Sequence, residues 1–339
     1  MSIPTPSQTE PSLDDPKVEK ENLSLLLEKY KDRCTNLPKE YFANEVLYFY
    51  QGFWYRSKGL ASYGTLMAAQ ETFQANPNDI YLATLPKSGT TWLKALAFAI
   101  VNRTKYKTNS LSTHPLLISN PHDCLPFIEN EVLRTKPTYV DLSSPRLFST
   151  HMPYPLLPRS IIDSGCRIVY MCRNPKDVLV SLFHFVNKMK IMGLVTIEEV
   201  FELFSKGITL CGPYWDHVKS YYKASLEHPT RILFLTYENM LSDTENNVKH
   251  LAEFLGYPFT MEEEANRVVQ QIVKLCSFEK LSEVNKHGKI REGLDNKIFF
   301  REGKVGDFRN YLTSDKIEML DRITEEEFHG LNISFEIRD

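Results

Sequence analysis

The sequence predicts one α/β domain in which a mostly parallel sheet is flanked by helices. Two observations carry that prediction. Three segments run from an Ile-, Val- and Leu-rich strand through a short turn into a helical pattern, as in a sheet covered on both faces. The 339 residues, 42% of them hydrophobic, also suffice for one large core. Such sheets bind ligands beyond the carboxyl ends of their strands, so function is expected in the residues that follow each strand.

Residues 1–22 read as a disordered tail and 23–339 as the single domain. The tail has no apolar stretch and carries Glu10, Asp14 and Asp15, which suits neither a secretory signal nor an acid-poor transit peptide. "LSLLLEKYKDR" has the spacing of a short amphipathic helix. In "EVLYFYQGFWY", Tyr48, Phe53, Trp54 and Tyr55 are either core or pocket wall. The three strand-turn-helix units are "DIYLATL" leading into "TTWLKALAFAIVNR", "RIVYMCR" leading through "NPKD" into "VLVSLFHFVNKMK", and "RILFLTYENM" leading into "DTENNVKHLAEFLG". "LFST" ends like a strand, and the charged, glycine-punctuated stretch from Leu281 to Gly306 is expected to be a long loop, either a lid or disordered.

Composition narrows the function. A formal net charge of −3 argues against a general nucleic-acid binder or a membrane-surface protein and leaves room for a basic pocket and a small partner. The longest apolar run, Ala95 to Val101, is far short of the roughly 20 residues that span a bilayer. Six cysteines without a CxxC pair or metal-like spacing to histidine argue against a zinc site or disulfide frame and fit a reducing, cytoplasmic setting.

The stretch "ATLPKSGTTW" has the layout of an anion cradle: a strand end, a tight loop and a helix start, where unpaired amides and the helix dipole favour negative charge. Lys87 adds a positive charge, Ser88, Thr90 and Thr91 add hydroxyls, and Gly89 permits close approach. An ordinary capped helix, with Ser88 or Thr90 as cap, is the alternative. The lysine precedes the glycine, the reverse of the Gly-x-x-x-x-Gly-Lys order of nucleotide loops, which disfavours an ATP or GTP enzyme.

"PKSGTTW" resembles the 5′-phosphosulfate loop of the sulfotransferases, Pro-Lys-Ser-Gly-Thr-x-Trp, with Leu85 where that family usually has tyrosine. The resemblance continues in order. "VYMCRNPKDVLVSLFHF" is similar to the family's 3′-phosphate segment, "FSTHMPYPLLP" to the segment with its catalytic histidine, and "FFREGKVGDFRNYL" to its Arg-Lys-Gly-x-x-Gly-Asp-Trp signature. It covers roughly Phe53 to the C-terminus; "LKALAFAIVNR" and "NPHDCLPF" resemble the plant cytosolic branch, and "YFYQGFW" and "NPHDCLPF" resemble its hydroxyjasmonate and flavonoid types.

The resemblance implies a sulfotransferase fold and transfer of a sulfuryl group from 3′-phosphoadenosine 5′-phosphosulfate (PAPS) to a hydroxyl of a small molecule. It implies that Lys87 contacts the bridging oxygen and 5′-phosphate, with Ser88, Gly89, Thr90 and Thr91 completing the loop. His151 would be the general base, for which a reference pKa of about 6.5 is apt. Arg173 and Ser181 would bind the 3′-phosphate and Ser181 would restrain Lys87; the bland alternative for Arg173 is a pair with Asp177. Trp92 and Phe278 would stack on adenine and Tyr237 would contact it, unless they are core, while Arg301, Glu302 and Gly303 would complete the phosphate end. His114, His122 and the remaining histidines read as structural.

Glu302 and Phe308 depart from the signature, which has lysine and tryptophan there, and bear on cofactor affinity. "RNYLTSDKIE" matches the dimer motif of animal relatives only loosely, so a monomer is expected; no metal is expected, because the cationic side chains and helix N-terminus supply the positive field that a kinase draws from magnesium. A small-molecule kinase would predict the other loop order and magnesium; a non-catalytic binding protein of the same fold is opposed by Lys87, His151, Arg173 and Ser181 occurring together.

Overall fold

The computed structural model describes residues 16–59, 62–106, 114–133, 144–189, 193–290 and 294–336. Helix α1 (Pro16–Cys34) begins inside the stretch expected as tail and packs on α2 (Tyr63–Thr72), where the Tyr63 hydroxyl donates to the Leu27 carbonyl at 3.1 Å. Between them, β1 (Lys39–Phe42), β2 (Glu45–Tyr50) and β3 (Phe53–Arg56) form a small antiparallel sheet. Gln51 and Gly52, both at positive φ, make the two-residue turn whose twist matches the strands it joins. The aromatic stretch therefore folds as a hairpin. Phe53 and Tyr55 are buried in the core, Tyr48 meets Tyr63 edge-on, and Trp54 leans on Phe49. Among the described residues, none of Tyr48, Phe53, Trp54 and Tyr55 lines the cavity described below. Phe53 and Tyr55 went to the core, where burial of apolar area is worth most, while Tyr48 and Trp54 pack half-buried against it.

The central sheet consists of β4 (Ile80–Thr84), β5 (Leu147–Thr150), β6 (Arg167–Cys172) and β7 (Ile232–Thr236) in the order β5-β4-β6-β7, with every pair parallel. Its strands are the expected ones. Alternation sends Tyr81 and Ala83 into one core with Phe148 and Tyr170, and Ile80 and Leu82 into another with Val169, Met171, Leu93 and Leu96. Both faces are covered, by α3 (Thr90–Asn102), α4 (Pro175–Met189), α5 (Tyr214–Glu227) and α6 (Thr244–Leu255) among others. Register pairs Ala83 with Thr150, Thr84 with Met171 and Cys172 with Thr236. The residues that follow, Leu85, His151, Arg173 and Tyr237, consequently emerge along one edge of the sheet.

The stretch expected as a long loop is more structured than that. It contains most of α7 (Phe278–Val284), an antiparallel bridge between Lys289 and Asp295, and a 3-10 turn at Asn296–Phe299, before α8 (Ser314–Glu327) closes the described chain. Its charged sequence hides the few apolar residues that anchor it: Leu281, Ile290 and Ile298 are all buried. Residues 291–293 lie outside the described residues.

Candidate active site

A cavity of about 480 Å³ opens at the carboxyl edge of the sheet. Its floor is the loop between β4 and α3. Lys87 and Gly89 both adopt left-handed backbone, at φ +72° and +100°, and curl the loop over the start of α3. Gly89 is required there: a Cβ would lie 2.8 Å from the Met171 sulfur and 2.9 Å from the Tyr237 ring. Gly89, and neither Ser88 nor Thr90, is the N-cap of α3, and no side chain caps it. The first amides of a helix have no intrahelical acceptor, so this uncapped end is suited to an anion.

Lys87 lies over the Phe185 ring at 4.3 Å. Burial, then the charges of Arg173, Lys188 and Arg301, pull its pKa down to about 7. An amine so placed regains its proton when an anion arrives. Ser181, Phe185 and Met189, four residues apart on α4, present one face to the cavity. Arg173 caps β6 and sits over the Tyr237 ring at 4.7 Å. Its Nη2 donates to the Lys304 carbonyl at 2.6 Å and approaches Asp177 at 3.6 Å, while its buried Nε has no protein acceptor. The pair with Asp177 and the place in the cavity wall thus coexist.

Asp177 also latches the C-terminal signature. It accepts from the Gly306 amide at 2.8 Å and the Phe308 amide at 3.2 Å, and Arg301 pairs with Asp307. Gly303 must be glycine, since a Cβ at its φ of +65° would lie 2.5 Å from the Phe278 ring. Trp92 and Tyr237 meet edge to face at 5.3 Å, and the Tyr237 hydroxyl donates to the Gly303 carbonyl at 3.3 Å. Glu302 sits at the rim with its side chain exposed, and Phe308 is buried beneath Lys176 and Arg309, outside the cavity wall.

His151 follows β5. Its Nδ1 lies 2.7 Å from the Thr84 carbonyl, which can only accept, so the proton resides on Nδ1 and Nε2 carries the lone pair. Burial is the main cause that holds its pKa down at about 4, leaving the ring neutral at ordinary pH. Glu129, buried and with a raised pKa for that reason, accepts from the His151 amide at 2.7 Å and from the Thr150 hydroxyl at 2.7 Å. His217 donates from Nε2 to the His151 carbonyl at 3.1 Å, with Tyr170 at its Nδ1. The ring is thereby held from its backbone and from one nitrogen. Phe127 leans on it with ring centroids 4.8 Å apart. Thr84 also ties it to the loop, because its hydroxyl bonds that of Thr90 at 2.6 Å.

The cavity therefore gathers His151, Lys87, Gly89, Thr90, Thr91, Trp92, Arg173, Ser181, Tyr237, Phe278, Arg301, Glu302 and Gly303. Ser88 stays out of its wall: the side chain is fully buried, its amide is given to the Leu85 carbonyl at 3.2 Å, and its hydroxyl has no partner. His122, read as structural, lines the cavity together with Phe127 and Glu129 from the same segment. The signal for them was "NPHDCLPF", whose Phe127 bridges to Ser149 beside β5 and so carries its neighbours to the edge of the sheet.

A family profile described as "Sulfotransferase domain" matches residues 77–332. Cytosolic sulfotransferase 13 of Arabidopsis thaliana is 45% identical, over 92% of this chain and 95% of its own length. Flavonol 3-sulfotransferase of Flaveria bidentis is 46% identical over 83% and 90% respectively. Among solved structures, a putative steroid sulphotransferase of Arabidopsis thaliana superposes with a TM-score of 0.72 at 38% identity, covering 92% of this chain and 96% of that one. A mouse sulfotransferase complexed with PAP gives 0.65 at 25% identity, covering 84% and 96%. With the motifs in order, the sheet closed around them and the profile spanning most of the chain, this protein belongs to the sulfotransferase family.

Proposed function

We propose that this chain moves the sulfuryl group of PAPS to a hydroxyl of a small, largely apolar acceptor, with His151 as general base. The observation that carries this reading is the meeting of an uncapped helix N-terminus, Lys87 and a tautomer-fixed His151 in one cavity. The residues fit an adenosine bisphosphate. Lys87, Arg173 and Arg301 supply positive charge, the buried Arg173 Nε lacks an acceptor that a phosphate would provide, and Trp92, Tyr237 and Phe278 offer ring faces. The activated sulfate supplies the group transferred; the protein's part is positioning, proton removal and neutralising the leaving phosphate.

On the acceptor's side, His151 Nε2 takes the hydroxyl proton. Lys87 faces the departing phosphate, and Ser181 holds the 3′-phosphate with Arg173. Phe127, Phe185 and Phe299 surround the reacting hydroxyl with apolar walls, which suits a flavonoid, steroid or hydroxyjasmonate skeleton. The names of the relatives support flavonols and steroids within that range and a cytosolic setting, and among the described residues no helix is long and apolar enough to cross a membrane. The cationic groups stand where a kinase would use magnesium, which supports transfer without metal; the loose match of "RNYLTSDKIE" to the animal dimer motif supports a monomer.

Labelled-sulfate transfer to a panel of flavonols, steroids and hydroxyjasmonates, run with and without EDTA, tests the reading. Transfer that survives EDTA supports it. Absence of transfer to any hydroxyl despite tight binding of adenosine 3′,5′-bisphosphate would leave a binding protein of the same fold.

A further inference from the structure

Behind the phosphate loop lies a second polar chain that the reaction as described does not use. Lys94 is one turn after Thr91 on α3 and fully buried. Its Nζ is 3.2 Å from His122 Nδ1, 3.1 Å from the Leu125 carbonyl and 3.5 Å from the centre of the Phe127 ring. These three neighbours are all electron-rich, as an ammonium requires. His122 Nε2 lies in turn 3.0 Å from the Thr91 hydroxyl. The ring is fixed in place: its amide is capped by Asn120 at 3.0 Å, and it stacks on Phe127 at 5.6 Å and leans on Phe299 at 4.3 Å. Burial and the Lys94 charge keep it neutral, so its two nitrogens share one proton.

We infer that Lys94 and His122 are positioning residues that turn the Thr91 hydroxyl into a donor aimed at the co-substrate's phosphate. The logic follows from what each group can do. An ammonium has donors and no acceptor, so Nδ1 of His122 must accept from it, and the ring proton sits on Nε2. Nε2–H then donates to the Thr91 oxygen. That leaves the hydroxyl's own hydrogen free of the ring and directed to the cavity, which Thr91 lines. With the opposite tautomer the hydroxyl would give its hydrogen to Nε2 and present lone pairs to an anion, a repulsive contact. A charge buried in the core thus sets the polarity of a hydroxyl that it does not touch. The inference rests on the proposed placement of the phosphate at the loop.

The ring nitrogen shifts of His122 in ¹⁵N-histidine-labelled, ligand-free protein test the first step, and they need no ligand or activity. A bare Nδ1 and protonated Nε2 are expected; a protonated Nδ1 would overturn the inference. Calorimetry with adenosine 3′,5′-bisphosphate tests the second. Thr91→Val and Lys94→Met should each weaken binding about tenfold, and the double variant should lose no more than about twofold beyond Thr91→Val, because the two act through one hydrogen bond. His122→Phe keeps the stack and loses both polar ends, and should fall to the level of Thr91→Val. His122→Gln, whose amide accepts at one atom and donates at the other, should stay within about threefold of wild type. Should Lys94→Met fail to fold, the His122 pair and the tautomer still decide. Normal binding by His122→Phe, or additive losses, would reduce the chain to packing. Normal binding by Thr91→Val with the tautomer intact would overturn the last step alone and leave sulfuryl transfer, measured separately, untouched.

Discussion

The two sides of the cavity are built differently. Most of the cationic side hangs on regular structure: Lys87 and Gly89 follow β4, Arg173 follows β6, Tyr237 follows β7, and Ser181 rides on α4, with Arg301 and Gly303 added from the stretch after the 3-10 turn. The aromatic side around His151 takes His122 and Phe127 from the 120–131 segment and Phe299 from the 3-10 turn, neither part of a long element. A charged phosphate needs fixed dipoles at fixed distances, which strand ends and helix starts supply at little entropic cost. An apolar acceptor needs shape, which short irregular segments can vary without disturbing the sheet. On the proposed assignment, donor recognition rests mainly on regular elements and acceptor recognition mainly on the short segments draped over them.

The largest expected effect would break the comparison at the junction of the two sides. His151→Ala should bind adenosine 3′,5′-bisphosphate almost normally, since the cationic side is intact, while sulfate transfer falls by about 10² to 10⁴. A phenol acceptor should suffer less than an aliphatic alcohol, as it needs less help to lose its proton. Calorimetry and labelled-sulfate transfer on matched acceptors check both, and lost bisphosphate binding would recast His151 as structural.

Next in size is Gly303→Ala, which acts on the cationic side only. Its Cβ would meet the Phe278 ring at 2.5 Å in left-handed backbone, so Phe278 or the 301–306 loop must move. Strain of about 1 to 3 kcal/mol corresponds to bisphosphate affinity weakened by roughly fivefold to 150-fold. Thermal unfolding of the ligand-free variant, shifted by only a few degrees, should show that the fold survives.

The two sides also respond to pH at different places. With its pKa pulled down to about 7, Lys87 is partly deprotonated in the free protein at neutral pH, and an incoming phosphate raises it again. Binding should therefore take up a proton above pH 7, and affinity should fall by up to about tenfold per pH unit as pH rises from there. His151, at about 4, must be neutral to act, so turnover with saturating co-substrate should hold down to about pH 5 and decline near pH 4. Calorimetry in buffers of different ionisation enthalpy separates the first effect, and a rate profile the second. Turnover that declines near pH 6.5 instead would mean a solvated histidine.

The smallest effect concerns Glu302. Its carboxylate is exposed but close enough to Lys188 and His184 to offset a little of the lowering that burial and Arg301 impose on their pKa values. Glu302→Lys should tighten bisphosphate binding by no more than about threefold at low salt, and the gain should vanish at high salt. A larger gain would mean that the side chain turns inward.

Much of this was legible in the residues alone. The three strand-turn-helix units and the parallel sheet were readable, because a strand's apolar run, a turn's glycine and a helix's spacing are local properties that burial reinforces, whereas the residues of the cationic side were singled out by resemblance to the sulfotransferase segments. Lys87, Arg173, Ser181 and His151 sit next to such elements, so local pattern also predicted their neighbourhood. What only the tertiary structure decided are contacts between segments far apart in the chain. The aromatic hairpin sent Phe53 and Tyr55 into the core because its register faced them inward, and left Tyr48 and Trp54 half-buried against it. Ser88 turned into the core while its neighbours faced the cavity, a choice made by the left-handed backbone at Lys87 and Gly89. His122 reached the phosphate loop because Phe127, five residues on, bridges to Ser149, and the stretch after Leu281 became a wall because Asp177, on a different helix, holds the Gly306 and Phe308 amides. Local periodicity reports which face of an element is apolar; it carries no record of which distant residue that face will meet, since such pairings are selected by the packing of the whole chain.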